Sequence, residues 1–96
     1  MRNLLLTRLA KSDLAGIWKY IAHDNRVAVD RLMGKIDNAM NQIAKTPSLG
    51  FSVEHVRPGI YCKPVKRNYL IFYEVNDDRI CILRMLHAAR KHDDLL

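Results

Sequence analysis

Two apolar runs late in the chain have the length and composition of paired strands. They are Tyr69 to Val75 and Arg79 to Leu86, and the polar triplet Asn76 to Asp78 between them is typical of a turn. The first run is apolar on both of its alternating faces, which favours a strand inside a sheet that is covered on both sides. The pattern predicts a β-hairpin with an internal first strand. In the second run, strict alternation is expected to put Ile82, Arg84 and Leu86 on one face.

Two helical stripes precede this hairpin. In the first, apolar residues recur every three or four positions and predict an amphipathic helix with one buried face. The residues of this stripe are Ala10, Leu14, Ile17 and Ile21. Three charged residues are expected to lie off the stripe, namely Lys11, Asp13 and Lys19. The large ring of Trp18, beside the stripe, is expected to be an anchor in the core or at an interface, of which the core is favoured.

The second helix is predicted from about Arg26 to Thr46. Asp24 or Asn25 can cap its start, and Pro47 stops it because proline cannot continue a helix. The connection between the two helices is short, so they are expected to form an antiparallel helical hairpin.

The order of the remaining elements completes a fold class. Asn3 to Leu6 is predicted to be a strand that ends at a capping Thr7, and Ile60 to Val65 a strand before the hairpin; Phe51 to Arg57 is predicted to be an irregular crossover. The order is β-α-α-β-β-β. It predicts an α+β fold with a helical hairpin packed on one face of a small antiparallel sheet. The other face is too apolar to be wet, so a partner is expected to cover it.

Length and charge refine this picture. The 96 residues make a single domain, residues 1–96, and 16 Lys and Arg against 10 Asp and Glu give a formal charge of +6. Such a charge favours an anionic partner, either nucleic acid or an acidic protein. No run approaches the roughly 18 apolar residues of a membrane span, and Cys62 and Cys81 lack the spacing of a metal or redox motif. We expect a cytoplasmic protein with reduced thiols, no membrane association, no cofactor and no metal site.

Basic residues crowd the sheet and the C-terminal tail. They are Arg57, Lys63, Lys66, Arg67, Arg84, Arg90 and Lys91. If they converge, they form a site for phosphates or for an acidic segment. Arg84 is the sharpest of them because a charge within a strand needs a partner, and Glu74 and Glu54 are the candidates for an ion pair.

A ribonuclease site can also be assembled from these residue types. Cleavage through the 2′-hydroxyl needs a base, an acid and cations on the phosphate. His87 and His92 are candidates for acid and base, with Arg84, Arg90 and Lys91 as cations. The spacing is not diagnostic, and the chain contains no glycine-rich phosphate loop, no nucleophile elbow and no metal-ligand spacing. We assign no catalytic residue.

The sequence resembles the ParE branch of the RelE/ParE toxins over nearly its whole length. In the second half the resemblance is carried by Arg57-Pro58-Gly59, Tyr69-Leu70-Ile71-Phe72-Tyr73, Ile80, Ile82, Arg84, Leu86-His87 and Arg90. In the first half it is carried by Ala10-Lys11-Ser12-Asp13-Leu14, Ile17, Tyr20-Ile21-Ala22, Asp24-Asn25, Pro47 and Gly50.

The resemblance implies the toxin component of a bacterial type II toxin-antitoxin system. Toxins of this branch inhibit DNA gyrase by binding, trap it on cleaved DNA, and are neutralised by a cognate acidic antitoxin. On this basis Arg84, His87 and Arg90 are expected in or beside the target-binding surface. A basic patch for antitoxin or target is expected from Arg57, Lys63, Lys66, Arg67 and Lys91.

Two alternatives remain open at this point. The RelE branch shares the fold and cleaves messenger RNA on the ribosome, although this chain ends in Asp93-Asp94-Leu95-Leu96 without the terminal aromatic residue or histidine often found there. The second alternative is a basic nucleic-acid-binding module, which would make direct nucleic-acid binding the primary activity.

Overall fold

The computed structural model describes residues 3–53, 57–66 and 69–88. Their elements are the strand β1 (Asn3–Leu6), the helices α1 (Arg8–Asp24) and α2 (Arg26–Lys45), a 3-10 turn (Pro47–Leu49), and the strands β2 (Phe51–Ser52), β3 (Ile60–Val65), β4 (Tyr69–Val75) and β5 (Arg79–His87). The strands of these residues form one sheet in the order β1-β5-β4-β3-β2, so β4 is internal as predicted. The predicted α+β class is confirmed. The sheet is mixed, because β1 pairs parallel to β5 while the other pairs are antiparallel.

Side-chain caps fix the corners between the first three elements. The Thr7 hydroxyl accepts a hydrogen bond from the Ala10 N–H at 3.0 Å and donates to the Leu83 carbonyl at 2.8 Å, which ties the start of α1 to β5. The Asn25 side chain accepts from the Ala28 N–H at 3.0 Å. Its own backbone N–H bonds back to Ile21, so one residue ends α1 and begins α2. The predicted caps are confirmed, with Asn25 as the residue that serves the second helix.

The main core lies between the helical hairpin and one face of the sheet. Apolar side chains of α2 pack there against alternate residues of the central strands; the buried residues include Leu32, Ile36, Ile43, Ile71, Tyr73, Ile80 and Ile82. Both helices contribute to this cluster, which confirms that the hairpin covers a single face.

A β-bulge in β5 breaks the alternation expected from the sequence. Phe72 lies opposite Arg84, but the next residue of β4, Tyr73, lies opposite Ile82, so Leu83 is an extra residue in the ladder. Beyond the bulge the faces are exchanged. Met85 joins Ile82 in the core under the helices, whereas Leu86 packs with Phe72 on the other face. The predicted common face of Ile82 and Leu86 is therefore wrong, because one inserted residue reverses a period of two.

The face opposite the helices is also covered by the chain itself. A second cluster holds Val53, Ile60, Cys62, Phe72 and Leu86, and each of them is at least 97% shielded from solvent. The Val53 N–H donates to the Ile60 carbonyl at 2.9 Å, which holds the segment after β2 against this side of the sheet. The expectation that a partner must cover this face is wrong, since the apolar residues of β4 already have partners within the chain.

Tyr73 anchors the connection between α2 and the sheet. Its buried hydroxyl accepts from the Gly50 N–H at 2.9 Å and donates to the Pro47 carbonyl at 2.8 Å. A Cβ at Gly50 would lie 2.6 Å from that hydroxyl and 2.7 Å from the Cys62 carbonyl oxygen, so no larger residue fits. The anchor holds the next residues beside β3, where Phe51–Ser52 pair as a strand. The prediction of an irregular crossover from Phe51 to Arg57 is therefore wrong for Phe51 and Ser52. Residues 54–56 lie outside the described part.

A partly buried carboxylate joins α1 to β5. Arg84 donates from Nε to Asp13 Oδ2 at 2.7 Å and from Nη2 to Oδ1 at 2.9 Å, which makes a bidentate pair. The Met85 N–H also donates to Oδ2, at 3.1 Å. We call these three residues the Asp13 clamp. The Arg84 and Asp13 side chains are 13% and 12% exposed, and the hydrogen bonds from Arg84 to Asp13 raise the pKa of Arg84 above its ordinary value.

The clamp corrects two expectations from the sequence. Arg84 bonds to Asp13, whereas Glu74 lies 3.5 Å from Arg57; the candidate pair with Glu54 lies outside the described residues. Asp13 does not lie off the apolar stripe of α1. It follows Ala10 by three residues and precedes Ile17 by four, so it shares their inward face. The inward position of Asp13 can therefore be predicted from a helical wheel, but its partner Arg84 is known only from the fold.

The two helices differ sharply in burial. Six residues of α2 are fully buried, whereas within Arg8–Asp24 only Ala10 is. Leu9, Trp18 and Tyr20 of α1 are 55%, 38% and 76% exposed. The prediction that Trp18 lies in the core is wrong, because α2 and the sheet leave that side of α1 open.

We predict that Asp13→Ala lowers the free energy of unfolding by about 2–4 kcal/mol. The substitution removes three hydrogen bonds from mostly buried groups, two of them charge-assisted. Asp37→Ala, at an exposed position of α2, is the matched control and should change stability by at most about 0.5 kcal/mol. Urea unfolding followed by circular dichroism measures both. Equal effects of the two substitutions would show that the clamp does not stabilise the fold.

We also predict a stability loss at alkaline pH that depends on Cys62. Burial raises the pKa of this thiol from 9.0 to about 11, so the unfolded chain releases the proton at lower pH than the folded protein does. The thiol's contribution is complete below pH 9 and declines as the pH rises toward 11, by about 2–3 kcal/mol at most. Unfolding free energies measured across this interval should fall less steeply for Cys62→Ala than for the unmodified chain. Cys81→Ala, at a half-buried thiol, should keep the full slope; identical slopes for all three proteins would contradict the assignment.

Candidate target-binding site

A cavity of about 670 Å³ opens between α1, the first turns of α2 and one end of the sheet. Its wall on α1 is formed by Ser12, Gly16 and Tyr20, which recur every four residues and therefore share one side of the helix. The sheet contributes the last residues of β5, the first of β4 and the residue after β3, namely Met85, His87, Tyr69 and Lys66. Asp13 lies at its edge, so the Asp13 clamp forms part of the wall.

Two aromatic rings meet at the sheet side of this cavity. Tyr69 and His87 are opposite each other in the β4–β5 ladder, and their rings pack edge to face with centroids 5.5 Å apart. Burial raises the pKa of Tyr69, and the neighbouring Tyr20 raises it further. Tyr69 therefore stays a neutral hydrogen-bonding phenol near neutral pH.

Lys66 brings a positive charge to the same cavity. It follows β3 in a left-handed backbone conformation with φ of 54°, which is uncommon for a residue with a side chain. The turn sends the chain from β3 toward β4 and leaves Lys66 exposed beside Tyr69 and His87. The cavity thus combines aromatic edges and a lysine with an apolar floor of Ile17, Ile21, Leu32 and Met85.

The structure gathers some of the predicted site residues and separates others. His87 and Lys66 line the cavity, and Arg84 reaches its edge through Asp13. Arg57 lies elsewhere, paired with Glu74 in an exposed ion pair of little energetic weight. Lys63 is half-buried within β3 and does not line the cavity. Arg67, Arg90, Lys91 and His92 lie outside the described residues.

Sequence reasoning missed three residues of this site. Tyr69, Tyr20 and Asp13 all belong to the family resemblance, but the sequence predicts Tyr69 only as a strand residue and Asp13 only as a charge off the apolar stripe, and it predicts none of the three to line a site. Tyr20 follows Gly16 by four residues, so the two share one side of α1. A Cβ at Gly16 would meet no atom within 4 Å, so the glycine leaves open space on that side. This spacing is the signal for Tyr20 in the sequence. Nothing local to Tyr69 indicates His87 as its neighbour, since only the hairpin register brings them together.

Chemically, the cavity is suited to binding polar and anionic groups of a macromolecule. Of the two histidines considered for acid and base, the described residues contain one at the cavity, His87, and its neighbours Tyr69 and Lys66 can donate hydrogen bonds. In the ranges 3–53, 57–66 and 69–88, no three His, Cys, Asp or Glu side chains are grouped so that they could hold a metal ion. No helix in those ranges has the length and hydropathy to cross a membrane.

Comparison with known proteins places the chain among bacterial toxins. The family model described as the ParE toxin of type II toxin-antitoxin system, parDE, matches residues 4–92. Toxin ParE1 of Caulobacter vibrioides is 32% identical over 98 residues, which cover 96% of this chain and 98% of that protein.

Solved structures show the same fold at lower identity. The chromosomal ParDE toxin-antitoxin system from P. aeruginosa matches with a TM-score of 0.76 and 20% identity, over 91% of this chain and 96% of that one. The E. coli DinJ-YafQ toxin-antitoxin complex matches with a TM-score of 0.70 and 14% identity, over 99% and 97% of the two chains. The match of the family model over nearly the whole sequence, together with the full-length relative, shows that this chain belongs to the ParE toxin family of type II toxin-antitoxin systems.

Proposed function

We propose that this toxin acts by binding DNA gyrase and trapping it on cleaved DNA in the bacterial cytoplasm. Family membership supplies the target, and one structural observation favours binding over RNA cleavage. Arg84, the cation nearest to His87 within β5, is engaged by Asp13 through two hydrogen bonds of 2.7 and 2.9 Å. A guanidinium held in this way has its charge balanced within the protein. It has fewer N–H donors left to stabilise the charge that develops on a phosphate in the transition state of RNA cleavage.

In this proposal the three residues assigned from the family resemblance have different roles. Arg84 is a positioning residue, since its pairing with Asp13 fixes the end of β5 relative to α1. His87 is exposed beside Tyr69 and contacts the target. Arg90 follows His87 by three residues in the sequence and lies outside the described residues; its proposed role is to add a positive charge to the contact with the target. Lys66 contributes a second cation across the cavity.

We further propose that a cognate acidic antitoxin binds and neutralises this toxin. The two structural relatives described above are toxin-antitoxin systems, and the formal charge of +6 on this chain suits an acidic partner. Arg57, Lys63, Lys66, Arg67 and Lys91 are the basic residues available for antitoxin or target. The toxin has no catalytic residue in this proposal.

Cleavage of messenger RNA is the second candidate, and the cavity itself is the observation that favours it. His87, Tyr69 and Lys66 converge there, and such groups can orient or protonate a substrate. The two candidates predict different products in a cell: trapped DNA breaks with intact transcripts, or cleaved transcripts with normal supercoiling.

We predict that His87→Ala weakens gyrase inhibition by at least about tenfold while the fold stays intact; because the side chain is exposed, the loss of its ring contact with Tyr69 should cost at most about 1.5 kcal/mol of stability. Purified gyrase is titrated with each toxin variant, and supercoiling and accumulation of cleaved DNA are measured. His23→Ala, at an exposed position in the last turn of α1, is the matched control and should retain full inhibition. In parallel, transcripts are followed in cells after induction.

A second pair of variants asks whether the cavity itself is the target-binding site. Gly16→Leu places a side chain into the open space beside Tyr20, and Gly34→Leu places the same side chain at an exposed, open position of α2. Only Gly16→Leu should reduce gyrase inhibition. If induction instead cleaves transcripts and leaves supercoiling normal, the gyrase proposal fails and His87 becomes a candidate catalyst; if Gly16→Leu inhibits normally, the target binds elsewhere on the toxin.

A further inference from the structure

The cavity beside His87 must do more than bind if the toxin traps gyrase on cleaved DNA. A ligand shifts an equilibrium only through a difference between its affinities for the two states. The toxin must therefore bind the complex with cleaved DNA more tightly than the complex with intact DNA. At a strand break the terminal nucleotides lose a stacking neighbour, so an unstacked base costs less there than inside a duplex. A cavity that accepts such a base supplies the required difference in affinity.

Aromatic residues line this cavity on two of its walls. Tyr20 belongs to α1 and is 76% exposed, which leaves most of its ring accessible. Tyr69 and His87 belong to the sheet, where their rings pack edge to face with centroids 5.5 Å apart. Every nucleobase has a π-face, and aromatic side chains are the platforms on which single-strand-binding proteins stack successive bases. The two walls therefore offer rings of the kind that bind an unstacked base.

The space between these walls suits a planar group. Ser12 and Gly16 precede Tyr20 by two turns and one turn on the same side of α1, and both have small side groups. The floor includes the apolar side chains of Ile17 and Met85. The cavity volume of about 670 Å³ lies within the range of roughly 300–1,000 Å³ that is usual for small-ligand sites. A nucleotide can therefore enter the cavity, with its base over the apolar floor.

The charges at this cavity favour an anionic ligand. Lys66 is exposed there, and its left-handed backbone conformation is of the strained kind that concentrates at ligand-binding sites. The carboxylate of Asp13 also lines the cavity, but its charge is balanced by Arg84 through hydrogen bonds of 2.7 and 2.9 Å. The formal charge of +6 on the whole chain favours the approach of a polyanion. A phosphate next to the bound base thus has a cation within the same cavity.

We propose that this cavity binds an unstacked nucleotide of the cleaved DNA strand, so that the toxin holds the DNA as well as gyrase. The proposal rests on the function proposed above and names the component of the gyrase–DNA complex that occupies the site. The base stacks on the rings of Tyr20 and of the Tyr69–His87 pair, and its phosphate pairs with Lys66. An intact duplex offers such a base only at the cost of unpairing and unstacking it, so the contact favours the cleaved state.

Photo-crosslinking tests this contact directly. Trapped breaks are first mapped by sequencing, and iododeoxyuridine is then placed at each nucleotide beside the break. Irradiation of the complex of gyrase, DNA and unmodified toxin should join the toxin to the DNA, because an iodinated base that is stacked on an aromatic ring reacts with it. The joined peptide should contain Tyr20, Tyr69 or His87. The same base placed well away from the break, in the duplex that gyrase binds, is the control and should give no crosslink to the toxin.

Variants separate the contact with DNA from the contact with gyrase. Tyr20→Ala should raise the toxin concentration needed to trap cleaved DNA by about tenfold or more, since a stacking platform is lost. Tyr20→Phe keeps the ring and should recover most of this loss. Lys66→Ala should raise the same concentration by roughly threefold, with a smaller effect at high salt. Binding of these variants to gyrase without DNA should change much less than trapping does.

The matched controls lie outside the cavity. Phe51→Ala removes an exposed aromatic ring of β2, and Lys35→Ala removes an exposed lysine of α2. Both variants should trap cleaved DNA at the concentration that the unmodified chain requires. Circular dichroism of all five variants confirms that the fold is intact.

Four results would overturn the proposal, and they differ in what else they overturn. Trapping by the unmodified toxin without a crosslink at any position would exclude DNA from the cavity and leave the gyrase proposal intact. Crosslinks that map only to toxin residues outside the cavity would place the DNA on another surface. Equal losses of affinity of Tyr20→Ala for gyrase with and without DNA would assign the cavity to the gyrase protein. Failure of the unmodified chain to trap gyrase, with cleaved transcripts in induced cells, would overturn the proposed function and this inference with it.

Discussion

The position of α1 on the sheet depends on one partly buried carboxylate. Asp13 lies on the inward side of the helix between Ala10 and Ile17, where an unpaired charge would carry a large desolvation cost. Three donors from β5 offset that cost, two from Arg84 and one from the Met85 backbone. These donors come directly after the bulge at Leu83, where the ladder between β4 and β5 is shifted. Since only Ala10 of α1 is fully buried, polar contacts carry more of the attachment of α1 than of α2.

The clamp also determines what kind of surface surrounds His87. It balances the charge of Arg84 inside the protein and sets the end of β5 against α1, which leaves the cavity between Tyr20 and Tyr69 open. The exposed cation that remains at this cavity within the described residues is Lys66. The positive charges of the chain are therefore distributed over several surfaces. Arg57 is paired with Glu74, whereas Lys11 and Lys19 lie beside Trp18 on another side of α1.

Local signals in the sequence were sufficient for most of the elements. Thr7 and Asn25 cap helices through hydrogen bonds to residues three positions away, as predicted. The apolar residues on both faces of Tyr69–Val75 predict an internal strand, and the structure confirms it. The predictions that failed depend on contacts distant in sequence. Three contacts are of this kind: β1 pairs parallel with β5, Arg84 bonds to Asp13, and the segment with Val53 packs with Phe72. Each joins residues that no local sequence pattern predicts to be close. The bulge at Leu83 is a further case, because a single inserted residue leaves the composition of a strand unchanged.

The candidate site was predictable in part for the same reason. His87 and Lys66 were each named as candidate binding residues, and the structure brings both to one cavity; Arg57, expected in the same basic patch as Lys66, is instead paired with Glu74 near the other end of β4. An apolar surplus was also correctly inferred and wrongly located. The composition indicates how much apolar surface the chain has, but the element that leaves it exposed is known only from the fold. Here both faces of the sheet are covered, whereas one side of α1 remains exposed.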